Sequence, residues 1–172
     1  MQEKMLNQLL AKQAICDVIY RYARGLDRMD KAMAYAVWHD GGTAIYHDDI
    51  YQGSGRGFVD WVWGAHEAMT HHSHQMNNIL IELDDEDHPQ TATSETYATV
   101  SLISIPDKNG QQNNMTAMVR YLDRWSCRND IWAIDHRVHV LDMQLLNGEP
   151  VAAGTASQRN TNDPSFQLFS ES

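Results

Sequence analysis

Apolar residues recur at two different spacings along the chain, and the spacing changes near residue 70. From residue 5 to about residue 26 they fall every three or four positions, which predicts an amphipathic helix. A second helix is predicted over residues 31–38, with Asp30 as its N-cap, and a third over residues 58–69. Residues 43–46 and 50–52 predict a small hairpin between them. The stripe of the first helix comprises Leu6, Leu9, Leu10, Ile15, Val18, Ile19, Tyr22 and Leu26.

Beyond residue 70 the chain alternates between apolar and polar residues in four long segments. These segments cover residues 71–83, 91–105, 115–128 and 131–145, and polar turn sequences such as Asn129-Asp130 separate them. Long consecutive strands joined by short turns predict an antiparallel meander, and helices gathered at the N-terminus make the class α+β. We expect one domain over residues 1–145. Residues 146–172 form a polar tail with one apolar return at residues 166–169, which we expect to cover the pocket or an interface.

Composition narrows the classes of function. With 172 residues, 42% of them hydrophobic, the chain can bury one core. Its formal net charge of −10 disfavours nucleic acid and anionic membranes as partners, because both require clustered basic residues. Cys16 and Cys127 make no disulfide framework, and the polar N-terminus reads neither as a signal peptide nor as a membrane span. We therefore expect a soluble, cytoplasmic protein.

Three histidines crowd the start of the first long strand. Alternation places one set of its side chains on a common face: His72, His74, Met76 and Asn78. A core-facing histidine needs partners for both ring nitrogens. A carboxylate such as Asp27, in the break after the first helix, would fix one nitrogen of His74 and leave the other as a base. With Tyr22 from the same helix, these two side chains form a candidate reaction centre.

Structural roles would explain the same residues without chemistry. His74 would then be satisfied by backbone groups or water, and Tyr22 would be a core tyrosine whose hydroxyl reaches a carbonyl. Asp123 and Arg137 lie on neighbouring strands, and this arrangement favours a structural cross-strand ion pair over a catalytic one. Pattern alone leaves these alternatives open.

A metal site is a further alternative. His72 and His74 project to one side of a strand, and His47, Asp48 or Glu67 could complete a ligand shell. No Glu-x-x-His pattern or cysteine pair accompanies them. We therefore expect neither a metal nor an organic cofactor.

Three short motifs occur together: Arg21-Tyr22-Ala-Arg-Gly-Leu-Asp27 near the N-terminus, His74-x-x-x-Asn78 at the start of a strand, and Tyr121-Leu-Asp-Arg-Trp125 before Trp132-Ala-Ile134. Over residues 5–145 they resemble the SnoaL-like branch of the nuclear transport factor 2-like superfamily. The resemblance is to its dehydratase members, such as scytalone dehydratase and bile acid 7α-dehydratase, and to the related hexachlorocyclohexane dehydrochlorinase. It implies a cone in which a curved antiparallel sheet wraps the helices around a deep apolar pocket.

By position, the resemblance implies that Asp27 and His74 are a catalytic dyad, with Tyr22 as a pocket tyrosine. Tyr46 matches a second pocket tyrosine, and His72 is an additional histidine. The implied activity is cofactor-independent elimination of water from a hydrophobic cyclic or aromatic small molecule. Further residues that we expect at the substrate are Trp38, Trp61, Trp63, Met76 and Asn78.

Other functions stay open, because an isomerase or a carbon–carbon lyase could use the same base, and the fold also serves in non-catalytic binding or assembly subunits. We also expect a homo-oligomer, a trimer or a dimer. Apolar residues lie on both faces of the late strands, for instance Tyr121 on one and Met118 on the other, so the outer face needs a cover. The tail is the alternative cover.

Overall fold

The computed structural model describes residues 2–46, 49–85 and 87–170. The helices in these ranges are α1 (Gln2–Asp27), α2 (Lys31–Ala36), α3 (Gly55–Glu67) and α4 (Pro164–Ser170). The strands are β1 (Trp38–Tyr46), β2 (Tyr51–Ser54), β3 (Met69–Leu83), β4 (Thr91–Ser104), β5 (Asn114–Arg128), β6 (Ile131–Leu146) and β7 (Glu149–Ala152). None of the helices in this described part is long and apolar enough to cross a membrane.

The strands form one open, curved sheet in the order β2-β1-β6-β5-β4-β3, and β7 pairs with β6. The predicted antiparallel meander is confirmed for the four long strands, β3 to β6. At the other edge of the sheet, β1 runs parallel to β6 with Tyr46 opposite His139, a pairing that was not predicted from the sequence. The N-terminal helices lie against one face of the sheet, which confirms the α+β class.

Left-handed residues at the tip of the β5–β6 hairpin explain why these two long strands end where the sequence predicts. Asn129 and Asp130, between β5 and β6, have φ angles of 53° and 62°. Two successive residues with positive φ are typical of a type I′ turn, whose twist matches that of antiparallel strands. This turn helps to set the register that places Asp123 opposite Arg137.

The apolar stripe of α1 is buried only in its second half. Ile15, Ile19, Tyr22 and Leu26 are at most 1% exposed, because they pack against the concave face of the sheet. Leu6, Leu9 and Leu10 were predicted on the same stripe, but each is more than half exposed. The apolar repeat is longer than the sheet surface that it packs on. The first turns instead reach the β3–β4 turn, where the Asn7 side chain donates to the carbonyl of Asp87 at 2.8 Å.

A close approach between α1 and α2 fixes the end of α1. A Cβ atom on Gly25 would lie 2.8 Å from the backbone nitrogen of Ala34, so only glycine lets the two helices come this near. Met29 then takes a φ of 53°, and the Asp30 side chain caps α2 by accepting from the backbone N–H of Met33 at 3.0 Å. Asp27, the last residue of α1, is held by this tight corner.

The tail continues the fold of the domain. Leu168 of α4 packs on Leu122 and Val140 on the outer face of the sheet. Arg120, also on that face, donates to both carboxylate oxygens of Asp163 at 2.8 and 2.7 Å. Burial raises the pKa of Asp163, but the hydrogen bonds from Arg120 and from backbone N–H groups outweigh it and leave the pKa well below its ordinary value. The tail therefore packs on the outer face of the sheet.

Candidate active site

The carboxylate of Asp27 and the imidazole of His74 are in direct contact. His74 Nδ1 lies 2.6 Å from Asp27 Oδ1, and the backbone N–H of His74 donates to Asp27 Oδ2 at 2.9 Å. The two side chains are only 12% and 6% exposed, respectively. The carboxylate of Asp27, at the end of α1, therefore forms hydrogen bonds with both the backbone and the ring of His74 on β3.

These hydrogen bonds define the protonation of the pair. A carboxylate only accepts, so His74 Nδ1 carries the hydrogen and Nε2 is left as the basic nitrogen of the neutral ring. Among the residues that the structure describes, none hydrogen-bonds to Nε2. Burial raises the pKa of Asp27, but the hydrogen bonds from His74 outweigh it, so the pKa lies below its ordinary value. The pair is thus an ionised carboxylate that orients an imidazole ring.

Two concavities flank the dyad. One, of about 360 Å³, is lined by Tyr20, Ala23, Arg24, Asp27, Arg28, His74 and Met76. The other, of about 290 Å³, lies between the end of α1 and the start of β3 and includes Asp27, His66 and His72 in its wall. Arginines, a carboxylate and histidines contribute to the walls of both concavities, and a largely apolar pocket at the dyad stays a prediction.

Tyr22 lies in the protein interior, and its contacts are with residues other than Asp27 and His74. Its hydroxyl is 2.9 Å from the hydroxyl of Tyr46, so the two predicted pocket tyrosines meet each other. The guanidinium carbon of Arg137 sits 4.3 Å from the ring centroids of both Tyr22 and Tyr121. The predicted ion pair is confirmed: Arg137 donates to Asp123 at 2.7 and 2.8 Å.

Burial controls the charges of this interior group. It raises the pKa of Tyr22 above its ordinary value, although the field of Arg137 and the hydrogen bond with Tyr46 act in the opposite direction. Burial also raises the pKa of Tyr46, well above its ordinary value. For Arg137, burial lowers the pKa and Asp123 more than offsets this, so the guanidinium stays charged. Within the described ranges, Arg137 Nη1 has no hydrogen-bond partner. The interior group therefore has three neutral phenols, those of Tyr22, Tyr46 and Tyr121, around the charged Arg137 guanidinium.

The other candidate residues are dispersed. Trp38 is buried, with its ring 5.5 Å from the Arg137 guanidinium carbon, and Met76 lines the concavity beside His74. Trp63 is half-buried beneath the Lys31 ammonium, at 5.5 Å. Trp61, 51% exposed, packs against Tyr51 and Phe58, and Asn78 is exposed beside a β-bulge. The structure therefore places Met76 at the dyad and Trp38 near the interior tyrosines.

The histidines proposed as metal ligands have other partners. Both ring nitrogens of His72 face backbone carbonyls, and His74 Nδ1 is taken by Asp27. His47 and Asp48, which were proposed to complete the shell, lie outside the described residues. In the ranges that are described, no group of three or more histidine, cysteine or acidic side chains is arranged to hold a metal ion.

Sequence reasoning missed Arg137 and His66 as neighbours of the site. The sequence assigned Arg137 only to an ion pair. Its position between the rings of Tyr22 and Tyr121 depends on α1, β5 and β6, which come together only in the folded protein. His66 did have a signal, because it lies four residues after Val62 on the apolar line of α3. It is 5% exposed, with its ring centroid 4.4 Å from that of His72.

The SnoaL-like domain family matches residues 7–138, and the chain belongs to this family. Among curated proteins, none matches the sequence. The predicted membership is thus confirmed by most of the chain's length.

Solved structures share the fold at low sequence identity. A type 2 hexachlorocyclohexane dehydrochlorinase has a TM-score of 0.70 and 13% identity, over 90% of this chain and 98% of that one. A scytalone dehydratase-like protein from Novosphingobium aromaticivorans has a TM-score of 0.72 and 16% identity, over 93% and 99%. A protein of unknown function from Mycobacterium tuberculosis has a TM-score of 0.63 and 18% identity, over 95% and 89%. These similarities confirm the predicted cone-shaped α+β fold.

Proposed function

We propose that this protein is a cofactor-independent lyase of the dehydratase type, acting in the cytoplasm on a hydrophobic cyclic or aromatic small molecule. The observation that carries the proposal is the 2.6 Å contact between Asp27 and His74 Nδ1, which leaves Nε2 as a base. Two solved structures with this fold, a hexachlorocyclohexane dehydrochlorinase and a scytalone dehydratase-like protein, support an elimination reaction.

In the proposed reaction, His74 Nε2 takes a proton from a carbon next to a carbonyl group of the substrate. The electron pair of the broken C–H bond forms a carbon–carbon double bond, and the C–O bond to the departing hydroxyl breaks. That hydroxyl takes the proton that His74 Nε2 has removed from carbon and leaves as water, which returns the His74 ring to its neutral form. Asp27 keeps the reactive tautomer of His74 in place and stabilises the imidazolium that forms.

The buried tyrosines supply the acid side of this scheme. Tyr22 is a neutral phenol at neutral pH because burial raises its pKa, so its hydroxyl can donate to a substrate oxygen that gains negative charge. Tyr46 supports that hydroxyl at 2.9 Å. Arg137 Nη1 has no hydrogen-bond partner among the described residues, so it can add a charged hydrogen bond to the same oxygen.

A panel of ring-bearing β-hydroxy carbonyl compounds tests the proposal. We expect the wild-type protein to release water and form a conjugated carbonyl, followed by its ultraviolet absorption and by mass spectrometry. Tyr22→Phe should lower kcat by about 10- to 100-fold because one hydroxyl donor is lost. The matched control is Tyr97→Phe, on the outer sheet face, which should leave kcat unchanged.

Three other outcomes would each overturn the dehydratase proposal. An isomer formed without loss of water would identify an isomerase. Two carbonyl-containing fragments would identify a carbon–carbon lyase. Tight binding of panel compounds without turnover would identify a non-catalytic binding subunit.

We also propose that the protein assembles as a homotrimer or dimer through the outer sheet face. The tail covers Leu122 and Val140 there, yet Tyr97 and Met118 on the same face remain 42% and 38% exposed. Light scattering at micromolar concentration should therefore give a mass well above 19.6 kDa. Met118→Arg should lower that mass because it places a charge in the contact. A wild-type monomer would refute the assembly.

A further inference from the structure

Two helices direct terminal carbonyl groups at the ring of His72. This residue is 7% exposed, and neither of its ring nitrogens contacts a side chain. Nδ1 lies 3.2 Å from the carbonyl oxygen of Leu26, in the last turn of α1. Nε2 lies 3.1 Å from the carbonyl oxygen of His66, in the last turn of α3.

This geometry fits the doubly protonated ring. A carbonyl oxygen only accepts hydrogen bonds, and a neutral imidazole has a single N–H, so it could satisfy only one of the two contacts. The imidazolium has two N–H groups and satisfies both. Carbonyls in the last turn of a helix also carry the negative end of the helix dipole, and two such ends converge here on one ring.

We propose that His72, as an imidazolium, is a positioning residue that ties the ends of α1 and α3 to β3 and thereby holds Asp27 within reach of His74. The proposal rests on the function proposed above. Leu26 immediately precedes Asp27, and His72 and His74 share one face of β3. The contact of His72 with the Leu26 carbonyl is therefore next to the contact of His74 with the Asp27 carboxylate. If the Leu26 carbonyl shifts, the Asp27 carboxylate shifts with it.

The charges around His72 agree with this arrangement. Its positive field contributes to the lowered pKa of Asp27, after the larger effects of burial and of the His74 hydrogen bonds. Burial first, and then the fields of His72 and His74, lower the pKa of His66 to about 4, so that neighbour stays neutral. The titratable or charged groups that surround the His72 ring are Asp27, Arg28, His66, Glu67, His71 and His74.

Nitrogen-15 NMR of the histidine-labelled wild-type protein at neutral pH tests the proposal directly. We expect both ring nitrogens of His72 to resonate in the range of protonated imidazole nitrogens, each coupled to its own hydrogen. A resonance typical of an unprotonated nitrogen at either position would overturn the imidazolium. Backbone assignment of residue 72 identifies the ring, so this measurement requires no variant.

His72→Gln tests the positioning role. The glutamine amide is neutral and cannot reproduce the ring's two opposed N–H groups. We expect kcat to fall about 10- to 100-fold with KM unchanged, because small misplacements of a catalytic group cost about that much. The downfield proton of His74 Nδ1 should also shift or broaden. The control, His88→Gln in the exposed β3–β4 turn, should change neither.

The outcomes separate this proposal from the proposed function. If no substrate is turned over, the proposed function fails, while the nitrogen resonances still decide the state of His72. If turnover is found and a folded His72→Gln variant keeps both its kcat and its His74 proton signal, the positioning role is overturned and the proposed function stands.

Discussion

Replacing His74 by alanine is expected to reduce kcat/KM for the elimination by about 1,000-fold or more, because the proposed base is removed. Asp27→Asn should be nearly as damaging, at about 1,000- to 10,000-fold, while leaving the shape of the site intact. The asparagine amide cannot stabilise the imidazolium, and its NH₂ group can donate to Nδ1 and so place the hydrogen on Nε2. Steady-state kinetics on a panel compound that the wild type converts measures both effects.

The controls for these variants separate chemistry from folding. His88→Ala removes an exposed histidine from the β3–β4 turn and should retain wild-type kinetics. Circular dichroism and thermal unfolding should show that the His74 and Asp27 variants are folded. A folded His74→Ala protein with near-normal turnover would rule out His74 as the base.

Asp123→Ala is expected to lower the free energy of unfolding by about 3–5 kcal/mol, the typical cost of removing one partner of a buried ion pair. Asp123 and Arg137 are 0% and 1% exposed, and the substitution leaves a guanidinium in the core without its counter-charge. Urea unfolding followed by tryptophan fluorescence measures the loss, and Tm should fall by roughly 6–20 °C for a chain of this size.

A second ion pair between neighbouring parts of the same hairpin provides the matched control. Arg128 of β5 and Asp135 of β6 are hydrogen-bonded, but their side chains are 52% and 28% exposed. Asp135→Ala should therefore cost less than about 1 kcal/mol. The double variant Asp123→Leu/Arg137→Met should regain most of the stability lost in Asp123→Ala, because no unpaired charge remains. Equal losses in Asp123→Ala and Asp135→Ala would contradict this account of the buried pair.

The sequence predicted the helices and strands well, because the residues that define each element stand close together in the chain. The strand bounds depend on two-residue alternation and on turn residues such as Asn129 and Asp130, which stand next to each other in the sequence. The parallel pairing of β1 with β6 could not be predicted in this way, because no local pattern states which distant strand is the neighbour. The exposure of Leu9 and Leu10 has a similar origin, since helical periodicity does not reveal where the sheet beneath the helix ends.

The candidate site was predictable only in part. The contact between Asp27 and His74 followed from the resemblance and from the placement of a carboxylate at a helix end; their catalytic roles stay predictions. Tyr22 was expected to contact the dyad, but its hydroxyl contacts the hydroxyl of Tyr46. Tyr46 lies on β1, and the position of β1 is set by its pairing with β6, which local sequence pattern does not reveal. Arg137 was placed in its ion pair, yet its position over Tyr22 needed the tertiary structure.

The parallel pairing of β1 with β6 also determines the order in which a newly made chain can complete its fold. At a synthesis rate of about 5–20 residues per second, β1 leaves the ribosome roughly 5–20 seconds before the end of β6 follows it. During that interval α1 can already pack on β3 and join Asp27 to His74, whereas Tyr46 and Arg137 have no settled neighbours. The nascent chain can therefore form the Asp27–His74 contact before the interior group around Tyr46 and Arg137 is assembled, and until then the unpaired edge of β1 is open to pairing with other strands.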